Sequence, residues 1–266
     1  MSASIIVAQP GGHAEQFMLL FHGVGSDAQD LVPLGQQLAA AFPRAWIVSV
    51  QAPERCDFGH GYQWFSVNGV TEANRAERAA QALPAFVEAV RHWQGLAHVG
   101  VGQTALIGFS QGAIMALEST RDRTPIAGRV VSIAGRFAQL PREPAAGTTL
   151  HFLHGKSDPV MPYGLTVTAA EHLVALGGDA TADVLPFLGH GINAELVALL
   201  IERLSRKRRA APSFLDPHGG RVGEPTLGVL KGYVPRSMWR AALAADPGRK
   251  NSQDRTVLQG PDDSGP

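Results

Sequence analysis

The sequence predicts an α/β protein, a mostly parallel sheet covered by helices on both faces. Short apolar, β-branched runs recur at Phe17–Phe21, Trp46–Val50, Thr104–Phe109, Val130–Ala134, Leu150–His154 and Val184–Leu188. Longer segments of helical period separate them. The runs are almost continuously apolar rather than alternating, the pattern of strands buried on both faces.

The helices follow from spacing. Leu83, Phe86, Val87 and Val90 form an i, i+3, i+4, i+7 stripe in a helix that begins near Glu72, with a kink or break expected at Pro84. Thr104–Phe109 runs directly into the apolar segment Ala113–Glu118, a strand followed at once by a helix. Another helix spans about Tyr163 to Leu176 and stops at Gly177-Gly178, a common C-terminal punctuation. The last carries Leu196, Leu199, Leu200 and Leu204. Residues 1–206 therefore read as a single α/β domain.

From Lys207 the character changes: 7 Pro and 8 Gly fall in the last 60 residues. This Pro/Gly-rich extension, 207–266, is expected to be largely disordered apart from a short helix near 235–245. There Met238, Trp239, Ala242 and Leu243 share a face between Pro235 and Pro247-Gly248. The basic run Arg206–Arg209 reads as a solvated helix end that complements the helix dipole.

Composition excludes several function classes. The 266 residues hold 23 Lys+Arg against 23 Asp+Glu, without the basic excess a nucleic-acid partner calls for. The single Cys56 excludes an intramolecular disulfide and any multi-cysteine zinc or iron–sulfur site. Ile5–Ala8 is too short for the core of a secretion signal, and no stretch nears the roughly 18 apolar residues of a membrane span. The expectation is a soluble, cytoplasmic protein without stable membrane insertion.

Gly108-Phe109-Ser110-Gln111-Gly112 is a G-x-S-x-G string. With 30 Gly and 14 Ser in the chain, chance supplies roughly 0.2 such matches, so the string alone is weak. Its place between a strand and a helix is what a nucleophile elbow needs; a plain turn with Ser110 as helix cap is the alternative. A serine hydroxyl requires a base, and the base an orienting carboxylate. Asp158 follows the run Leu150–His154, and His190 follows Val184–Leu188, in the order Ser, Asp, His expected of such a topology. Asp158 alone would read as an Asp-Pro turn former, and His190 alone as a cap or surface histidine. Together, the three candidates are Ser110 as nucleophile, His190 as base and Asp158 as orienter.

An oxyanion needs two preorganised N–H donors. The Gln111 amide, next to the nucleophile, is one candidate. The other is the Val24 amide in Phe21-His22-Gly23-Val24-Gly25, the loop after an early strand. His22 is assigned to shaping that loop by hydrogen bonding rather than to acting as a second base. Trp64 and Phe65 either wall an acyl pocket or plug the core beneath their loop; spacing does not decide. Met161, close after Asp158, is a further candidate for the cleft. Cys56 reads as incidental, and neither a metal nor a cofactor is called for.

Taken together, the His22–Gly25 loop, Gln63-Trp64-Phe65-Ser66-Val67, the block Ala105 to Ser119, Leu153-His154-Gly155 leading to Asp158, and Leu188-Gly189-His190 resemble the phospholipase/carboxylesterase group of α/β-hydrolases. That group includes the acyl-protein thioesterases, and the resemblance is narrower still to the bacterial YpfH-type esterases. It covers about residues 15 to 204, with a similarity at Tyr233-Val234-Pro235 and an insertion at about 207–230. The resemblance implies an α/β-hydrolase fold and cofactor-free hydrolysis of small-molecule esters or thioesters of short to medium acyl chains through an acyl-enzyme. No long insertion lies between Val131 and Leu150, where many hydrolases carry a cap domain, so an open, shallow cleft is expected. Two alternatives stay open: an acyltransferase using the same triad, and a catalytically silent hydrolase fold that only binds.

Overall fold

The computed structural model describes residues 4–122 and 124–206. Its strands, in chain order, are β1 (Ile5–Ala8), β2 (Gln16–Phe21), β3 (Ala45–Val50), β4 (Glu54–Arg55), β5 (Tyr62–Gln63), β6 (Thr104–Phe109), β7 (Arg129–Ile133), β8 (Thr149–Gly155) and β9 (Ala180–Leu185). All but β4 and β5 form one sheet of spatial order β1-β3-β2-β6-β7-β8-β9, with only edge strand β1 antiparallel to its neighbour. β4 and β5 pair as a two-stranded ribbon apart from it. The α-helices are α1 (Val32–Ala41), α2 (Arg75–Ala97), α3 (Gln111–Glu118), α4 (Gly164–Ala175) and α5 (Ala194–Ser205).

The continuous apolar strands do what their composition requires. Along β2, Phe17, Leu19 and Phe21 join a core with Phe86 and Val90 of α2, Met115 of α3 and Leu173 of α4. Met18 and Leu20 join a second core with Leu34 and Leu38 of α1 and Leu196, Leu200 and Leu204 of α5. The sheet is thus buried on both faces. From β2 the chain steps outward to β3, then returns to β6 on the other side. That reversal sets the carboxyl ends of β2 and β6 side by side, at the switch point where open α/β sheets characteristically bind ligands.

Four details depart from, or add to, the periodicity. Helix α2 runs unbroken through Pro84, at an exposed position, so the Ala80 carbonyl that loses its intrahelical donor also faces solvent. The run expected at Val184–Leu188 is instead β9, Ala180–Leu185. It starts earlier because an edge strand tolerates the half-buried Ala180–Asp183, and stops before Pro186, which cannot donate to a ladder. β1 coincides with the apolar run Ile5–Ala8, which the sequence reading weighs only as a secretion-signal core and not as a strand, and α1 has no counterpart among the stripes read from the sequence. The short helix expected near 235–245 lies outside the described residues.

One buried group ties stability to pH. His151 on β8 is 4% exposed; its Nδ1 lies 2.8 Å from the Thr181 hydroxyl, and its Nε2 has no partner among the described residues. Burial first, then the charges of Arg129 and Arg203, push its pKa down to about 4, while Asp179 opposes them. The unfolded chain takes up this proton at higher pH than the folded one. Stability is therefore lost as pH falls below about 6.5, by up to about 3 kcal/mol once pH is under 4. In thermal melts between pH 7 and 5, His151→Leu should show a shallower fall in Tm than the wild type. Equal slopes would mean that His151 is not charged on unfolding.

Candidate active site

The turn between β6 and α3 carries Ser110 at φ +53°, ψ −115°. A non-glycine residue adopts this conformation only under constraint. Two features supply it. The Ser110 amide donates to the Ile133 carbonyl at the end of β7 (2.9 Å), and the Ser110 carbonyl accepts the Ala113 and Ile114 amides of the first helical turn. The glycines on either side allow backbones to touch: a Cβ at Gly108 would lie 2.4 Å from the Ala113 nitrogen, and one at Gly112 2.2 Å from the Phe21 carbonyl oxygen. No larger residue fits either place without moving backbone.

Opposite the turn, two loops from neighbouring strands meet. The Ser157 amide, in the loop after β8, donates to the Leu188 carbonyl in the loop after β9 (3.0 Å). His190 Nδ1 lies 2.7 Å from Asp158 Oδ2, and His190 Nε2 lies 3.0 Å from Ser110 Oγ. A carboxylate only accepts, so Nδ1 carries the proton and the Nε2 lone pair faces the serine hydroxyl. The Phe109 ring packs on the imidazole with 5.1 Å between centroids.

The Asp158 carboxylate is fully buried. Burial alone would raise its pKa. The Met161 amide, the His190 N–H and the Val160 amide outweigh it and hold the group below the ordinary value. Both amides reach Oδ1 at 2.8 Å, leaving Oδ2 for His190. Asp158 therefore stays ionised beside the His190 imidazole.

The loop after β2 passes directly beside Ser110: a Cβ on Gly23 would lie 3.1 Å from the Ser110 Cβ. His22, fully buried, shapes this loop. Its Nδ1–H donates to the Gly23 carbonyl (2.8 Å), and its Nε2 accepts the Ala52 amide (3.1 Å). Burial lowers its pKa, which keeps the ring neutral as this pairing requires. The candidate oxyanion donors, the Val24 and Gln111 amides, have no acceptor among the described residues.

A strained serine between strand and helix, an imidazole on its hydroxyl and a buried carboxylate behind form a hydrolase constellation. The family model described as phospholipase/carboxylesterase matches residues 2–207. The chain belongs to this family. It is similar to Esterase YpfH of Escherichia coli (strain K12), with 43% identity over 199 residues, 75% of this chain and 86% of that protein. It is also similar to Acyl-protein thioesterase 1 of Cryptococcus neoformans var. neoformans, with 24% identity over 59% of this chain and 72% of that one. Among solved structures, esterase PE8 superposes with a TM-score of 0.67 at 28% identity, covering 76% of this chain and 97% of that chain.

Within this phospholipase/carboxylesterase fold, Trp64 has core surroundings. It is 3% exposed, with its ring against Phe21, His22 and Phe86. Its indole N–H donates to the His22 carbonyl (2.9 Å). Phe65 is also buried and lines a polar recess with Glu54, Ser66, Glu77 and Arg78; Met161 is half-buried beside the Asp158 loop. Sequence reasoning missed the Gln111 side chain. Its Oε1 accepts the Trp64 amide (2.8 Å) and its Nε2 donates to the Phe65 carbonyl (2.7 Å), which ties the 64–65 segment to the nucleophile turn. No sequence spacing signals such a clamp across more than forty residues. His154 was also missed, although a His four residues before an Asp at a strand end is a visible pattern.

Gln111→Leu should leave the buried Trp64 amide and Phe65 carbonyl unpaired and cost about 2–4 kcal/mol of stability. Denaturant unfolding measures this. An unchanged midpoint would show that the 64–65 segment needs no clamp from the nucleophile turn.

Proposed function

We propose that this ester hydrolase cleaves carboxylic esters or thioesters of short to medium acyl chains through an acyl-enzyme on Ser110. The observation that carries the proposal is the 3.0 Å contact between His190 Nε2 and a positive-φ serine hydroxyl, backed by the 2.7 Å contact from Nδ1 to Asp158. Ser110 Oγ attacks the acyl carbon as His190 Nε2 takes its proton. The carbonyl oxygen becomes an oxyanion held by the Val24 and Gln111 amides. His190 then gives the proton to the departing alcohol or thiol, and the C–O or C–S bond breaks. Water enters, loses a proton to His190 and attacks the acyl carbon; the bond from that carbon to Ser110 Oγ then breaks as His190 returns the proton to Oγ, which releases the acid and restores Ser110.

The character of the opening bears on the substrate. Between β7 and β8 the chain passes from Ala134 to Thr148 in bends and turns without a helix. No helix among the described residues is long and apolar enough to cross a membrane. The uncovered stretch between β7 and β8 supports small-molecule esters as substrates. Met161, half-buried beside the Asp158 loop, is the apolar side chain we assign to the cleft, whereas Trp64 supports the loops from the core.

Hydrolysis of p-nitrophenyl esters of graded chain length, with wild type, Ser110→Ala and His190→Ala, tests this reading. Turnover should fall by at least about 10³-fold in both variants. A fluorophosphonate should label the wild type at one equivalent and leave Ser110→Ala unlabelled. Turnover that survives Ser110→Ala would remove Ser110 from the mechanism.

A further inference from the structure

Asp158 has a second imidazole on it. His154, at the end of β8, is completely buried, and its Nε2 lies 3.2 Å from Asp158 Oδ2, the oxygen that also accepts His190. The same Nε2 lies 2.9 Å from the Met161 carbonyl. A carbonyl only accepts, so Nε2 bears the hydrogen, and that N–H is shared between Met161 O and Asp158 Oδ2. On the far side, Nδ1 lies 2.8 Å from the Thr166 hydroxyl, which itself sits 3.3 Å from the Gly135 carbonyl. The ring is thus held at both nitrogens by groups from the Asp158 loop and from α4.

We propose that His154 is a positioning residue for ester hydrolysis: a neutral N–H donor that fixes the Asp158 carboxylate and withdraws charge from the oxygen facing His190. This rests on the Ser110–His190–Asp158 reading. With His154 in place, every face of the carboxylate is engaged: two amides on Oδ1 and two imidazole N–H groups on Oδ2. Rotation of the carboxylate would break several of these at once. His154 also tempers the attraction between Asp158 and a charged His190. A carboxylate left with His190 alone on Oδ2 would hold the imidazolium more tightly, and the base would be available only at higher pH.

His154 is suited to a neutral role. Burial lowers its pKa most, against the raising effects of the Met161 carbonyl and Asp158, and a charged His190 adds to the lowering. Asp158 and His190 are the charged or titratable groups that bear on it among the described residues. The Met161 carbonyl fixes the hydrogen on Nε2, so neutral His154 can only accept at Nδ1, and the one Thr166 hydrogen goes to Nδ1 (2.8 Å) in place of the more distant Gly135 carbonyl (3.3 Å). No group of His154 reaches Ser110 Oγ, so its influence passes through Asp158 and His190 alone.

The test is the pH dependence of kcat and kcat/KM for a short p-nitrophenyl ester, using the full chain as wild type, His154→Gln, His154→Leu and His154→Met. In His154→Leu, kcat should fall about tenfold with KM within about twofold, and the acid limb of kcat/KM should move up by about half a pH unit. His154→Gln, which keeps an N–H donor, should recover most of both effects. A merely structural role would lower the amount of active enzyme, counted by fluorophosphonate titration, without moving the acid limb. A folded His154→Leu protein with wild-type kcat per titrated site and an unmoved acid limb overturns the proposal. Should that variant not fold, His154→Met decides, since its unbranched apolar side chain also brings no N–H to Asp158: an unmoved profile there overturns the proposal, and a lowered kcat with the limb displaced upward supports it. A wild type that neither labels at Ser110 nor hydrolyses esters overturns the Ser110 reading itself, and this inference with it.

Discussion

The positive φ of Ser110 is the constraint on which the site depends. A serine at φ +53° costs of order 1–3 kcal/mol, and it persists only because its surroundings leave no other path. β6 lies at the centre of the sheet, with β2 on one side and β7 on the other, and α3 is buried along its whole length. The chain must leave a buried strand and enter a buried helix within one residue. The backbone contacts at Gly108 and Gly112 are what that turn requires, and they bring the loop after β2 against the same turn. Strain, proximity of the amide donors and presentation of Oγ therefore share one cause. The two glycines and the serine are spaced as they are because the strand–helix junction allows no other order of sizes.

A second dependence runs through buried charge. Asp158 is a carboxylate with no exposed side-chain surface, which is tolerable only if its oxygens are satisfied. The loop after β8 satisfies one oxygen with its own amides, and histidines satisfy the other. The loop is in turn tied to the His190 loop by backbone bonds, among them Lys156 to Leu185 and Ser157 to Leu188. Asp158 and His190 are thus carried on two joined loops at the edge formed by β8 and β9. Ser110 and both candidate donors follow β2 and β6. Assembly of the triad needs the whole sheet to be in register, so the chemistry is coupled to the cooperative fold.

Much of this was legible in the sequence, and the boundary of legibility has physical reasons. Strands buried on both faces announce themselves as apolar runs, so β2, β3, β6, β7 and β8 were readable to within a residue or two. Edge strands lack that signature: β1 is four residues long, and half-buried Ala180–Asp183 of β9 carries few large apolar groups. α1 holds Leu34 and Leu38 against the sheet but is otherwise mostly Ala, Gln and Gly, too plain a stripe to stand out. Ser110, Asp158 and His190 were legible because each follows a strand in a fixed order. The Gln111 clamp was not, since hydrogen bonds made by buried side chains across more than forty residues leave no periodicity; the His154 contact had a visible spacing to Asp158, which sequence reasoning missed. Trp64 could be placed near the site by sequence but not on one side of the wall or the other; only its bonds and ring contacts place it in the core.

That placement changes what Trp64 does. Its indole N–H holds the His22 carbonyl, while its backbone amide is held by Gln111. His22 belongs to the loop bearing Val24, and Gln111 follows Ser110. One residue therefore links the two segments that carry the candidate oxyanion donors. Two donors act together only if their separation is set before the charge develops, because reorganisation at that moment would consume the stabilisation they provide. The sheet sets the direction of each segment, through β2 and β6. It does not set the loops beyond the strand ends, where the ladder has stopped. A buried indole with one polar atom, packed on Phe21 and Phe86, is suited to fix them there, since its ring area resists displacement and its N–H permits one orientation. The aromatic at this position thus ties the loop after β2 to the turn at Ser110 through one indole N–H and one backbone amide.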